Sequence, residues 1–212
     1  REFIQISEAL VTRLLRRGKN EFIDKVKISL GYVDGNVIQC TTQCRSLSKI
    51  WWPLVLTTNY DRMFVDAYIE THPGNLSPAL SIYGRNSVDC HSLLASLSAP
   101  SNTRYWALQG YFGKSVNEKD LEKEIVVGYR QYRNATFNNL SFRSVFSEVF
   151  RNYSLLFIGS GLTEEYFRGL FDEVLEKMGS NPNMHFALFR EADVENIDVR
   201  FFQTELNITP IF

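Results

Sequence analysis

Leu54-Val55-Leu56-Thr57-Thr58-Asn59-Tyr60-Asp61 is the stretch on which the fold turns. Three apolar residues run together without alternation, as in a strand buried on both faces. The run stops abruptly at Thr57-Thr58-Asn59-Tyr60-Asp61, and Met63, Phe64, Ala67 and Tyr68 follow at helical spacing. Strand, polar end, helix is the repeating unit of a parallel sheet. Working outward, Arg104 to Leu108 reads as a second buried strand, ending at Gln109-Gly110. Ser154 to Ile158 is the clearest strand, ends at Gly159-Ser160-Gly161, and leads into a helix from about Thr163 to Met178. Ala79 to Tyr83, His185 to Phe189 and Ile208 to Phe212 are further short strands, with Arg190 following the fifth. Apolar strands alternating with helices predict an α/β fold, a mostly parallel sheet with helices on both faces. In such sheets ligands bind just outside the carboxyl ends of the strands. The strand-end segments 57–61, 109–110, 159–161 and 189–190 are therefore expected to line one cleft.

The rest of the chain sets boundaries on that reading. It has 212 residues, 44% hydrophobic and 22% charged, which excludes disorder, collagen and coiled coil. Its 24 acidic and 23 basic residues give a formal net charge of -1. Nothing in that balance calls for direct contact with nucleic acid or an anionic membrane. The basic run Arg13, Arg16, Arg17, Lys19 reads as a solvated helix face. Residues 3–30 read as helices broken at Gly18, and residues 1–50 together as a helical lead-in to a single domain whose core is 51–212. Asp34-Gly35-Asn36 marks a loop, residues 71–103 read as loops around one strand, and 113–124 as polar and exposed. Ile125 to Val127 reads as a short extended piece, and Phe137 to Phe150 as an amphipathic helix. The longest apolar stretch, Ile50 to Leu56, is far short of the about 20 residues of a membrane span. The charged start REFIQISEAL is unlike a signal peptide. Three cysteines, Cys40, Cys44 and Cys90, fit a reducing cytosol better than a disulfide scaffold, and the expected location is cytoplasmic. With His91 they make a poor zinc set, and packing as small apolar residues is the expected role, with no metal.

Two strand ends carry chemistry on their own residues. A carboxamide such as Asn59 donates and accepts at once, and can hold a sugar hydroxyl or position a water. Asp61 suits bonding hydroxyls or capping the following helix; the competing reading of the segment is that Thr58 or Asn59 caps the helix beginning near Asp61. Gly159-Ser160-Gly161 lets a backbone approach a phosphate or ribose at a helix N-terminus, or is simply a tight turn. Glu164 and Glu165 suit the helix dipole and oppose a phosphate there. His72, His91 and His185 are scattered, and His185 reads as structural. There is no G-x-S-x-G elbow and no P-loop.

Leu56-Thr57-Thr58-Asn59-Tyr60-Asp61, then Leu108-Gln109-Gly110, then Leu155 to Leu162 resemble the ordered motifs of the sirtuin-like domains of bacterial anti-phage defence proteins. The resemblance covers about Trp51 to the C-terminus, and the three motifs in order are more specific than any one. It implies a Rossmann-like fold that binds NAD and hydrolyses it to nicotinamide and ADP-ribose, within a longer protein or an oligomeric assembly that senses phage. By position, Asn59 would be the catalytic asparagine that orients ribose or the attacking water, and Asp61 its support. Thr57 and Thr58 would join Asn59 in binding NAD. Gly159, Ser160 and Gly161 would lie against the adenosine-side ribose and phosphate, with Arg190 near the adenine.

Two departures qualify the resemblance. Gln109 stands where the family has histidine. Histidine exchanges a proton near neutral pH; an amide only hydrogen-bonds, and losing a general base costs about a hundred- to ten-thousand-fold in rate. The family's N-terminal glycine-rich phosphate loop does not precede Thr57, and the chain begins with Arg1 rather than Met, so a fragment with that loop upstream is expected. The zinc cysteines of deacylating sirtuins are also missing. The expectation is an NADase lineage weakened or silenced at Gln109. The alternative is a degenerate nucleotide-binding or protein-interaction module of a defence complex.

Overall fold

The computed structural model describes residues 2–32, 39–73, 80–98, 101–159 and 183–212. The expected loop at Asp34-Gly35-Asn36, the helix Thr163 to Met178, and Ser160 and Gly161 lie outside the described residues. The chain divides into two units, Arg1–Phe142 and Arg143–Phe212, and has an α/β Rossmann-like fold in which the strands of the described residues pair in parallel.

The first unit opens with α1 (Glu2–Arg17) and α2 (Lys19–Ser29). They break where expected, at Gly18, whose φ of 134° lies outside the range comfortable for L side chains. Val11, Phe22 and Ile23 of this hairpin bury against Phe112 and Ile125. Burial of each large apolar side chain contributes about 1.5–3 kcal/mol. A short helix inside the expected helical lead-in, α3 (Thr42–Ser48), follows, its first turn capped by the Thr41 hydroxyl accepting from the Cys44 N–H at 3.2 Å.

The sheet of this unit runs in the order β1-β3-β2, from β1 (Leu54–Thr57), β2 (Leu80–Tyr83) and β3 (Thr103–Ala107). The register places Thr57 beside Ala107 and Tyr83 beside Trp106. Strand β3 is buried along its whole length, as its central position demands. Strand β1 corrects the expectation of burial on both faces: all four residues are half-buried, because among the described residues it has only one strand neighbour. Helix α4 (Met63–Thr71) brings Val65 and Tyr68 onto Leu80, Tyr105, Ala107, Tyr111 and Leu121.

Helix α5 (Ser87–Ser96) corrects the reading of 71–103 as loops around one strand. Its sequence is serine-rich and weakly periodic, but the Asn86 side-chain Oδ1 caps it by accepting from the Asp89 N–H at 3.0 Å. Residues 113–124 are likewise not simply exposed. Leu121 is fully buried, and the buried Ser115 hydroxyl donates to Asp89 at 3.0 Å. A 3₁₀ turn (Leu121–Glu124) leads to an extended piece at 125–127, then to α6 (Tyr129–Phe137), another helix the apolar pattern did not announce.

Helix α7 (Leu140–Asn152) spans the boundary between the units. In the second unit, β4 (Leu156–Ile158), β5 (His185–Leu188) and β6 (Ile208–Ile211) pair in that order. Helix α8 (Val199–Glu205) packs beside β6, capped by Asp198 accepting from the Phe201 N–H at 3.0 Å. His185 is structural, as the sequence reading expected. It is fully buried against Phe150, ring centroids 4.1 Å apart, and its Nδ1 accepts from the Leu155 N–H at 3.1 Å. Burial lowers its pKa to about 4, so the ring stays neutral at physiological pH.

Candidate functional site

The carboxyl ends of β1 and β3 come together in the first unit. Thr57 ends β1, and its carbonyl accepts from the Leu108 N–H at 2.8 Å, which carries the pairing one residue beyond β3. Residues 57–61 and 109 therefore share one sheet edge, where parallel sheets place ligands.

Within 57–61 each side chain has a distinct task. The Thr57 hydroxyl accepts from the Asn59 N–H at 3.1 Å and also bonds the Tyr105 phenol. This small turn breaks the strand and throws Asn59 outward, where its carboxamide is exposed and has no side-chain partner among the described residues. Thr58 is half-buried beside it. Asp61 accepts from the Met63 N–H at 2.9 Å and so starts α4. Of the capping roles weighed from the sequence, Asp61 takes this one, while Thr58 and Asn59 make no bond to the helix among the described contacts. That leaves the Asn59 amide available for a ligand.

Tyr60 turns the other way, and sequence reasoning gave it no role. Its hydroxyl lies 3.2 Å from the Gln109 Oε1 and also donates to the Val126 carbonyl. Its own carbonyl accepts from the Phe112 N–H at 3.1 Å. The signal available in the sequence was its place between Asn59 and Asp61. What it touches lies 49 and 66 residues away in the chain.

Gln109 is only 7% exposed. Its carbonyl accepts from the Val126 N–H at 3.1 Å. Gly110 has φ 94°, and a Cβ there would lie 2.5 Å from the Ile125 nitrogen, so glycine is required both by conformation and by the closeness of the chain crossing it. The buried phenols nearby, Tyr105 and Tyr111, have their pKa raised, chiefly by desolvation, and stay protonated.

Behind this edge lies a buried charged group. Arg85 and Glu124 form an ion pair of 3.8 Å, and the Arg85 Nη2 donates to the Glu124 carbonyl. Burial lowers the Arg85 pKa, opposed first by Glu124 and then by Tyr132, Tyr60 and Cys90. Cys90 is fully buried with its Sγ 3.4 Å from the Arg85 carbonyl, and burial pushes its thiol up to about 12. It packs as a small residue and is inert as a nucleophile at neutral pH. Among the described residues, no three histidine, cysteine, aspartate or glutamate side chains gather as metal ligands.

The remaining expected site residues lie in the second unit. Gly159 follows β4 with φ 69°, and among the described residues nothing lies within 4 Å of where a Cβ would be. Arg190 follows β5, exposed, and its guanidinium makes a two-point bond to Asp193 at 2.7 and 3.0 Å. Thus Thr57, Thr58, Asn59, Asp61 and Gln109 are brought to one edge, Gly159 and Arg190 stand at strand ends of the other sheet, and Ser160 and Gly161 are outside the described residues.

Comparison with curated protein sequences gives no match. The family profile described as SIR2-like domain matches residues 53–211, well over half of the chain, and begins one residue before β1.

Proposed function

The chain belongs to the SIR2-like domain family, and from this premise we propose that the edge formed by Thr57, Thr58, Asn59, Asp61 and Gln109 binds NAD and belongs to an NAD-hydrolysing lineage. SIR2-like domains generally bind NAD. The observation that carries the reading is the meeting of the Thr57–Asp61 segment with Gln109 at the carboxyl edge of a parallel sheet, with the Asn59 carboxamide turned outward.

In this reading NAD is the substrate and the bond to nicotinamide is the one that breaks. The reaction passes through an oxocarbenium-like state. Asn59 holds a ribose hydroxyl or the attacking water, using its ability to donate and accept at once. Asp61, by starting α4, fixes the segment on which Asn59 sits. Gln109 supplies a hydrogen bond but no proton transfer, so turnover is slow. Gly159, Ser160, Gly161 and Arg190 are proposed for the adenosine side. The biological setting proposed with it is a cytoplasmic effector that depletes NAD in anti-phage defence by abortive infection, acting in an oligomer or with other domains and subunits that sense infection. No helix of the described residues is long and apolar enough to cross a membrane, in keeping with that setting.

A second reading is favoured by one observation. Gln109 is buried and engaged by its neighbours, so the site suits a nucleotide-binding module that signals without catalysis.

Nicotinamide release from NAD, with NAD binding measured by calorimetry, tests both. Gln109→His is expected to raise release at least a hundredfold over the native chain, and Asn59→Ala in that background to abolish it. Binding without hydrolysis in every form moves the conclusion to the second reading. Neither binding nor release in any form refutes both.

A further inference from the structure

We propose that residues 124–128 form a strap that sets the position of Gln109, and that Arg85 and Glu124 are the positioning residues that fasten it. The inference rests on the reading of the Gln109 edge as the NAD site.

The strap has no regular secondary structure of its own beyond Glu124, so its place must come from what grips it. At Glu124 the grip is double. The carboxylate accepts from the Arg85 backbone N–H at 2.5 Å, the Asn86 N–H at 3.2 Å and the Asn86 Nδ2 at 2.9 Å, while the Glu124 carbonyl accepts from the Arg85 guanidinium. Gly84 makes room for this: a Cβ there would lie 2.8 Å from the Glu124 carboxylate. Next, Lys19 Nζ donates to the Ile125 carbonyl at 3.4 Å. Then Val126 donates its N–H to the Gln109 carbonyl and accepts from the Tyr60 hydroxyl. Finally the Gln131 Oε1 accepts from the Val127 and Gly128 N–H groups at 3.1 and 3.2 Å. The functional edge is thus hydrogen-bonded to the strap at Val126, two positions beyond the ion pair, and Gly110 packs closely on the backbone of Glu124 and Ile125 between them.

Stability alone does not explain that ion pair. Arg85 is 5% exposed, and its Nη1 is buried with no hydrogen-bond partner among the described residues. A buried charge pair with an unmet donor is expensive, and apolar replacements are often neutral or stabilising. What a forked cation and a carboxylate supply and apolar groups do not is registry. Arg85 reads the Glu124 carbonyl and carboxylate together, so a slip of the strap breaks both at once. A shift of about 1 Å at a supporting group is enough to impair a site. The strap's own shift would pull Val126 away from Tyr60 and Gln109.

The test uses the whole chain in the Arg85→Met and Glu124→Gln variants, the second isosteric. In ligand-free ¹H–¹⁵N spectra, the Gln109 side-chain amide and the Val126 backbone amide are expected to shift while amides of α4 stay in place. NAD affinity is expected to fall at least tenfold, with melting temperature within a few degrees of the parent for at least one variant. Arg85→Lys, which keeps the charge without the fork, should restore the spectra only in part. If the Gln109 and Val126 signals do not move, or move only together with the whole unit as the fold loosens, the proposal is overturned. Absence of NAD binding by the parent chain would refute the functional reading instead, and the ligand-free spectra would still decide the strap.

Discussion

Strand β3 ends at Gln109-Gly110 and strand β4 ends at Ile158-Gly159, and the two turns are built in opposite ways. Both glycines have positive φ, 94° and 69°. Around Gly110 the chain is crowded by the backbone of Glu124 and Ile125, and Gln109 is held from two sides. Around Gly159 no described residue comes within 4 Å of where a Cβ would be, and the flanking strand residues Leu156 and Ile158 are exposed. Arg190, at the end of β5, finds its partner only three residues on. A glycine at a strand end therefore has two meanings. One is conformational and local; the other records a neighbour's approach, and it is this one that marks a locked edge.

The sharpest way to break the comparison is Gly110→Ala. Positive φ and a 2.5 Å clash with backbone that cannot swing aside add up to about 3 kcal/mol or more of lost stability. Chemical denaturation followed by tryptophan fluorescence reads it, since Trp51, Trp52 and Trp106 all lie in the first unit. A loss no larger than that of Gly159→Ala would remove the distinction.

Acid should act on the second unit through His185. Its folded pKa, about 4, is below the ordinary 6.5, so the neutral ring contributes stability that is present above pH 6.5. That contribution is lost as the pH falls from 6.5 through about 4, when the ring gains a proton and can no longer accept from the Leu155 N–H. Proton exchange of the Leu155 amide, with the imidazole titration followed by NMR, should show this opening in the native chain. A His185 titrating near 6.5 contradicts it.

The smallest effects belong to the open strand ends. Gly159→Ala should cost about 1 kcal/mol, the strain of a left-handed alanine with no clash added by any described residue. Arg190→Ala removes only an exposed pair and should leave the denaturation midpoint within error. If either change destabilises the chain as Gly110→Ala does, the strand ends of the second unit are more tightly built than described.

Much of the frame was legible in the residues. Runs such as LVLT and RYWA were legible as strands, although only the second proved to be an inner one, and a strand–polar–helix alternation implies parallel pairing. The candidate edge was legible as well, because strand ends in parallel sheets are where ligands sit and Asn59 is polar where a mere turn has no need of it. Helix α5 was not legible: SVDCHSLLAS is rich in residues that favour turns, and its stability comes from the Asn86 cap and from burying Cys90 and Leu93. Helix α6 was missed for a related reason, since YRQYRNATF buries only Tyr132 and Thr136.

By itself the sequence determined the α/β alternation, the break at Gly18, the place of Asn59 and Asp61 at a strand end, and the glutamine at position 109. These depend on local pattern and neighbour-to-neighbour chemistry, which a sequence displays directly. Only the tertiary structure decided that β1 is half-buried, that Tyr60 joins Gln109 to Val126, and that Arg85 and Glu124 grip the segment between. Those contacts join residues about 39 to 66 positions apart. Chain folding must bring such residues together before their hydrogen bonds exist, so no periodicity or spacing in the sequence records them.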